Sequence, residues 1–100
     1  MTDTEIVLDE KISLDTKEPR KCKVLLLNDD TTPMDFVIDV LQNIYKHNHN
    51  SATDLTMTIH NEGSGIAGVY TYEIAEMKAG ETVNLARNHG FHLQVKIEEE

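Results

Sequence analysis

The chain has 100 residues, of which 39% are hydrophobic, and its 18 acidic and 9 basic side chains give a net charge of −9. This length suffices for one compact domain, and the acidic balance argues against binding to nucleic acid or an anionic membrane, since both depend on clustered Lys and Arg. The single cysteine, Cys22, excludes an internal disulfide and indicates a reducing cytoplasm. No apolar run approaches the roughly 20 residues that span a bilayer.

The first 21 residues differ in composition from the rest of the chain. Residues 1–21 mix charges and Thr with scattered Ile, Val and Leu and follow neither a period of 2 nor one of 3.6. They are predicted to form a flexible N-terminal arm. The folded domain is expected over residues 22–100 and begins with "CKVLLL" (22–27), an apolar run typical of a buried strand.

Two helices are predicted next. Thr32 is expected to be the N-cap of the first, with Pro33 at its first helical position, and apolar residues then repeat at helical spacing through His47. The second helix follows "HNHN" (47–50), with Asn50 or Ser51 as its cap. Glycines end it, because glycine adopts the left-handed backbone of a C-cap. The residues expected on its buried stripe and at its end are Ala52, Leu55, Ile59, Gly63 and Gly65.

The C-terminal third is predicted to contain a strand, a long helix and another strand. "IAGVYT" (66–71) is the strand, and Thr71 is expected to cap a helix from Tyr72 to about Asn88. Its inward side chains are expected to be Ala75, Ala79, Val83 and Ala86. "FHLQVKI" (91–97) alternates apolar and polar residues as a half-exposed strand does. The order β-α-α-β-α-β predicts an α+β fold in which three helices pack on a small, antiparallel-type three-stranded sheet.

Most candidate chemistry in the sequence has a simpler explanation. The histidine pairs 47/49 and 89/92 lie in polar loop sequence without a cysteine, so they are expected to be solvated, and no metal or cofactor is predicted. "GSGIAG" (63–68) follows a helix and precedes a strand, the reverse of a phosphate-binding loop. Cys22 lies in a predicted core strand with no activating cation, and no catalytic residue is predicted.

The turn Asn28-Asp29-Asp30 and the histidine at position 60 are open to two interpretations. Asn and Asp hydrogen-bond local backbone in turns, and a histidine at the end of an apolar stripe is commonly a core-edge residue. Alternatively, acidic side chains at the end of an apolar strand form an anionic receptor for a cationic ligand. The residues alone favour the structural interpretation without excluding the receptor.

Four segments carry a family resemblance: "KVLLLNDDTTPMDFVIDVLQ" (23–42), "ATDLTMTIH" (52–60), "GSGIAGVYTYEIAEMK" (63–78) and "FHLQVKI" (91–97). Together they closely resemble the ClpS adaptor family of the bacterial N-degron pathway. The resemblance implies a non-catalytic protein that binds substrates through an N-terminal Leu, Phe, Tyr or Trp. It would deliver them to the ClpA unfoldase of the ClpAP protease.

The same resemblance assigns roles to particular residues. The substrate's α-amino group would be held by Asn28, Asp29 and His60. Its first side chain would enter a pocket formed by Asp30, Thr32, Met34, Val37, Ile59 and Leu93. The unfoldase would contact Glu73 and Lys78, and the arm would engage it during delivery.

One position departs from the family pattern. At the pocket rim the family commonly has Met, which excludes β-branched first residues, whereas this chain has Thr56. A shorter side chain is expected to admit Ile or Val, or to weaken binding. Two rival classes remain, a metal-binding domain using the five histidines and a structural or protein-interaction module of ribosome-stalk-like fold that does not recognise N-termini.

Overall fold

The computed structural model describes residues 20–100. It contains β1 (Lys21–Leu27), α1 (Met34–Asn43), α2 (His49–Glu62), β2 (Ser64–Thr71), α3 (Tyr72–Asn88) and β3 (Gln94–Glu99). The predicted β-α-α-β-α-β order and α+β class are therefore confirmed. Of the arm predicted over residues 1–21, residues 1–19 lie outside the described part, and Lys21 is already the first residue of β1.

The sheet has the order β2-β1-β3, and β1 is antiparallel to both neighbours. Alternate residues of β1 are buried, among them Val24 and Leu26, each 0% exposed. These side chains meet residues from all three helices in one core, including Leu41 of α1, Ala52 of α2 and Ala75 of α3. Burying a Val or Leu side chain contributes about 1.5–3 kcal/mol, so the central strand anchors the fold.

Helix α1 differs from the prediction at both ends. Its N-cap is Pro33, because the hydroxyl of Thr32 donates to Asp29 Oδ2 at 2.7 Å and makes no capping bond. The helix ends at Asn43 rather than at His47, and the backbone then turns through Lys46 at a left-handed φ of 64°.

Helix α2 begins earlier than predicted. Its N-cap is Asn48, whose side chain accepts from the backbone N–H of Ser51 at 2.8 Å. The predicted C-cap at Gly63 is confirmed by a φ of 97°. The prediction that His47 is solvated is wrong: it is half-buried, with Nδ1 at 2.8 Å from Ser51 Oγ and Nε2 at 2.7 Å from the carbonyl of Ala67.

Helix α3 has the predicted bounds. Val83, predicted to face inward, is half-buried, whereas the neighbouring Thr82 is fully buried. The Thr82 hydroxyl donates to the carbonyl of Lys78 at 2.8 Å, so the Tyr45 hydroxyl, also at 2.8 Å, is the donor to Thr82 Oγ1. Burial raises the pKa of Tyr45 to about 12, which keeps this donor protonated. The bonds tie the segment after α1 to α3.

The last strand starts at Gln94, three residues later than the predicted start at Phe91. The reason is the length of β1, whose final residue, Leu27, pairs with Gln94, so that residues 91–93 have no strand beside them. Instead, the backbone N–H of Phe91 donates to the carbonyl of Ala86 at 2.9 Å. Leu93 thereby lies in a loop at the end of the central strand, where it is 4% exposed.

Candidate functional site

A cavity of about 150 Å³ opens at the end of β1. Eleven residues line it: Leu27, Asn28, Asp29, Asp30, Thr32, Met34, Val37, Thr56, Ile59, His60 and Leu93. The structure thus brings together all the residues that the resemblance assigned to the α-amino group and to the side-chain pocket. Leu27 also lines the cavity, although nothing in the sequence distinguishes it from the other leucines of the strand.

Four parts of the chain meet at the cavity. The turn after β1 supplies its acidic residues, and the first turn of α1 supplies Met34 and Val37. Thr56, Ile59 and His60 share one face of α2, because residues three and four apart are neighbours on a helix. The loop before β3 supplies Leu93. No single segment of the sequence therefore contains the site.

The cavity has an apolar end and a polar end. Val37, Ile59 and Leu93 are buried, with exposures of 6%, 3% and 4%. Asn28, Asp30 and His60 are exposed, and Met34 is 36% exposed beside them. Such a cavity can take up an apolar group while a polar or charged group stays near the surface.

The acidic turn is held by bonds on both of its sides. The backbone N–H of Asn28 donates to the carbonyl of Gly63 at 2.9 Å, which fixes the end of β1 to the C-cap of α2. Asp29 Oδ2 accepts from the hydroxyl of Thr31 at 2.5 Å and from that of Thr32 at 2.7 Å. The structural interpretation of the turn therefore holds for Asp29 Oδ2.

Those hydroxyls also lower the pKa of Asp29. The Thr31 hydroxyl, and after it the Thr32 hydroxyl, hold the pKa of the Asp29 carboxyl below its ordinary value, because they bond to the ionised form. The group, which is a carboxylate at neutral pH in any case, therefore stays ionised to lower pH than an ordinary aspartate. Within residues 20–100 both hydroxyls bond Oδ2, and the backbone N–H of Thr31 also contributes a hydrogen bond to this carboxyl. Oδ1, which neither hydroxyl uses, keeps a lone pair as an acceptor for a cationic ligand.

Thr56 lies in the buried wall of the cavity rather than at an exposed rim. It is 3% exposed, and its hydroxyl donates to the carbonyl of Ala52 at 2.7 Å. The neighbouring Met57 is 43% exposed and does not line the cavity. The donor proton of the Thr56 hydroxyl is thus used in a hydrogen bond within α2.

The two predicted unfoldase contacts lie on α3, outside the cavity. Glu73 is exposed in the first turn of the helix. Lys78 is half-buried: Nζ donates to the carbonyl of Ile44 at 2.8 Å and lies 5.3 Å from the centroid of the Tyr70 ring. Sequence patterns could not indicate this, because the carbonyl that Lys78 reaches is 34 residues away. Lys78 is therefore a structural as well as a surface residue.

The described part of the chain offers neither a metal site nor a membrane-spanning helix. Among residues 20–100, no group of three or more His, Cys, Asp and Glu residues is arranged to hold a metal ion. In the same range, no helix has the length and apolar character needed to cross a membrane.

The fold and the cavity together define a small α+β domain with a ligand-sized cavity at one end of its sheet. The family described as "ATP-dependent Clp protease adaptor protein ClpS" matches residues 17–96. The chain therefore belongs to the ClpS family of adaptors for the ATP-dependent Clp protease. This assignment favours an adaptor over the ribosome-stalk-like alternative.

Individual relatives agree with this assignment. An adapter protein ClpS of Helicobacter hepaticus is 47% identical, covering 87% of this chain and 90% of the relative. One from Campylobacter jejuni is 45% identical over the full length of both chains. Among solved structures, Agrobacterium tumefaciens ClpS2 bound to L-phenylalaninamide superposes with a TM-score of 0.80 at 38% identity, covering 83% of this chain and all of that one.

Gly65 on β2 lies close to Leu55 and Ile59, and Ile59 lines the cavity, so a substitution at Gly65 tests the packing around the cavity. A Cβ there would lie 2.8 Å from Leu55 Cδ1 and 2.9 Å from Ile59 Cγ1. We expect Gly65→Ala to displace Ile59 and to lower the free energy of unfolding by about 1–3 kcal/mol, measured by chemical denaturation. The matched control is Gly80→Ala on exposed α3, where a Cβ meets nothing within 4 Å and should stabilise by about 0.5–1 kcal/mol. Equal stability of Gly65→Ala and wild type would contradict this packing.

Proposed function

We propose that this chain binds proteins through an N-terminal Leu, Phe, Tyr or Trp and delivers them to a ClpA-type unfoldase of a ClpAP protease. It acts in the cytoplasm as an adaptor, without catalysis and without a cofactor. The observation that carries the proposal is a cavity that combines a buried apolar end with an ionised carboxylate near its exposed end.

The chemistry of a free N-terminus matches this cavity. Its α-amino group is a cation with three donors, and it is covalently next to the first side chain. Asn28, Asp29 and His60 offer acceptors for those donors, and hydrogen bonds to charged groups are stronger than neutral ones. A neutral imidazole has one acceptor nitrogen, which is the atom of His60 that would meet the amino group.

The size of the cavity also suits the proposed ligands. A dry cavity of about 150 Å³ in another protein is known to admit benzene, so an aromatic or leucine side chain is of suitable size for this one. Burying such a side chain contributes about 1.5–3 kcal/mol. The Agrobacterium ClpS2 relative binds L-phenylalaninamide, which has a free α-amino group beside an aromatic side chain. That ligand supports the proposal for this chain.

The first test compares a peptide beginning with Phe or Leu with its N-acetylated form, by fluorescence anisotropy. Acetylation removes the positive charge and two donors, leaving the acceptors at the polar end facing a neutral amide. We expect the free peptide to bind and the acetylated one not to bind. Asp29→Ala should weaken binding of the free peptide by more than about tenfold. Equal affinity of the free and acetylated peptides would refute N-terminus recognition.

Delivery is proposed to use a different surface, on α3. Glu73 is exposed there, and so are three apolar side chains near it. These side chains are Tyr72, Ile74 and Met77, at 52%, 43% and 65% exposure. An exposed apolar patch bordered by charged residues is typical of a surface that contacts another protein. Lys78 borders the same surface but also holds the segment after α1, so its substitution would affect folding as well as docking.

Binding and delivery should therefore be separable. Removing residues 1–19, which keeps Lys21 in β1, should leave peptide affinity unchanged and abolish degradation by ClpAP, because the resemblance assigns the arm to delivery. Glu73→Ala should weaken docking on the unfoldase alone. For Lys78→Ala, the matched control is Thr82→Val, which removes a different tie between α3 and the segment after α1, the Tyr45–Thr82 hydrogen bond, from a buried position. Loss of peptide affinity on truncation would contradict the separation.

Thr56 is proposed to relax the discrimination against β-branched first residues. A Met side chain at this position would extend further into the cavity and would collide with the branched Cβ of an Ile or Val first residue. Steric exclusion of this kind is a common basis of specificity. We expect Ile- and Val-initiated peptides to bind more weakly than Leu-initiated ones, with Thr56→Met restoring exclusion. Differences of this kind are worth about 1–3 kcal/mol.

Two control variants accompany this test. Thr56→Val keeps the shape of the side chain and removes only its hydroxyl, which donates to the carbonyl of Ala52. Met57→Ala alters a neighbouring residue that does not line the cavity. Both variants should keep the wild-type preference among first residues. The relaxed discrimination is wrong if Ile and Val peptides show no binding to the wild type at concentrations that saturate it with a Leu peptide.

A further inference from the structure

Thr31 contacts the site without being part of the cavity. Its side chain is exposed and does not line the cavity, and the resemblance assigns it no role. Its hydroxyl nevertheless donates to Asp29 Oδ2 at 2.5 Å. Thr32, which does line the cavity, donates to the same oxygen at 2.7 Å.

Two donors on one oxygen determine how the carboxylate is oriented. Each carboxylate oxygen has two lone pairs, so the two hydroxyls use the acceptor capacity of Oδ2. Rotation of the carboxylate about its Cβ–Cγ bond would break both bonds. Oδ1, which neither hydroxyl uses, then keeps acceptor capacity for another donor, and the one further bond to this carboxyl within residues 20–100 comes from the backbone N–H of Thr31.

We propose that Thr31 is a positioning residue for N-terminus recognition: its hydroxyl holds Asp29 so that Oδ1 receives the α-amino group. This inference rests on the proposed function. A carboxylate fixed before the ligand arrives loses less conformational freedom on binding, which improves affinity without a new contact. Thr31 thus acts through Asp29 and does not touch the ligand itself.

The charge of Asp29 supports the same role. The Thr31 hydroxyl is the largest of the causes that lower the pKa of the Asp29 carboxyl. Because the pKa is lowered on folding, the ionised group contributes stability above the ordinary carboxyl pKa and loses it as the pH falls through the lowered value. Removing the hydroxyl should therefore raise the pKa of Asp29.

The experiment uses the full chain with Thr31→Val, which removes the hydroxyl and keeps the shape, and Thr31→Ser, which keeps the hydroxyl. We expect Thr31→Val to weaken binding of a Phe-initiated peptide about three- to tenfold, the loss expected for one hydrogen bond. The Asp29 carboxyl ¹³C shift should titrate at higher pH in Thr31→Val, and Thr31→Ser should restore both values. Thr58→Val is the matched control, since its hydroxyl bonds a backbone carbonyl away from the cavity.

A double-mutant cycle establishes whether Thr31 acts through Asp29. In an Asp29→Ala background, Thr31→Val should cause no further loss of affinity. A full loss in that background, or wild-type affinity in Thr31→Val alone, would overturn the positioning role. Failure of the proposed function is a distinct result, because the wild type itself would then not bind the peptide.

Discussion

The hydrogen bond from the backbone N–H of Asn28 to the carbonyl of Gly63 joins the end of the central strand to the C-cap of α2, and the cavity lies between these two elements. Gly63 forms this cap because its backbone can adopt the left-handed conformation. His60 lies three residues before that cap. The loop containing Leu93 reaches the same place because β1 and β3 stop pairing at Leu27. The site is thus a consequence of where one strand ends.

The charged turn illustrates how one residue can serve structure and binding at once. Asp29 satisfies the turn with one carboxylate oxygen and keeps the other for a ligand in the proposed function. The threonine hydroxyls that complete the turn also lower the pKa of this carboxyl. The two interpretations of Asn28-Asp29-Asp30 are therefore compatible, since they concern different atoms.

Local patterns predicted the order of elements, the bounds of α3 and the cap at Gly63, because these depend on periodicity and on glycine backbone freedom. They failed where a distant partner decides the outcome. Thr32 bonds Asp29 instead of capping α1, and Lys78 reaches the carbonyl of Ile44. For the site, residue chemistry indicated only the acidic turn and His60. The apolar wall followed from the family resemblance, since buried residues such as Ile59 and Leu93 look like ordinary core residues in the sequence.

N-terminus recognition is tested most directly by an NMR titration of the ¹⁵N-labelled chain with L-phenylalaninamide, a small ligand that combines a free α-amino group with an aromatic side chain. We expect saturable shifts confined to the turn after β1, the first turn of α1, the last turns of α2 and the loop containing Leu93, and no such shifts with N-acetyl-phenylalaninamide. Shifts centred elsewhere on the domain, or identical shifts with both compounds, would contradict it.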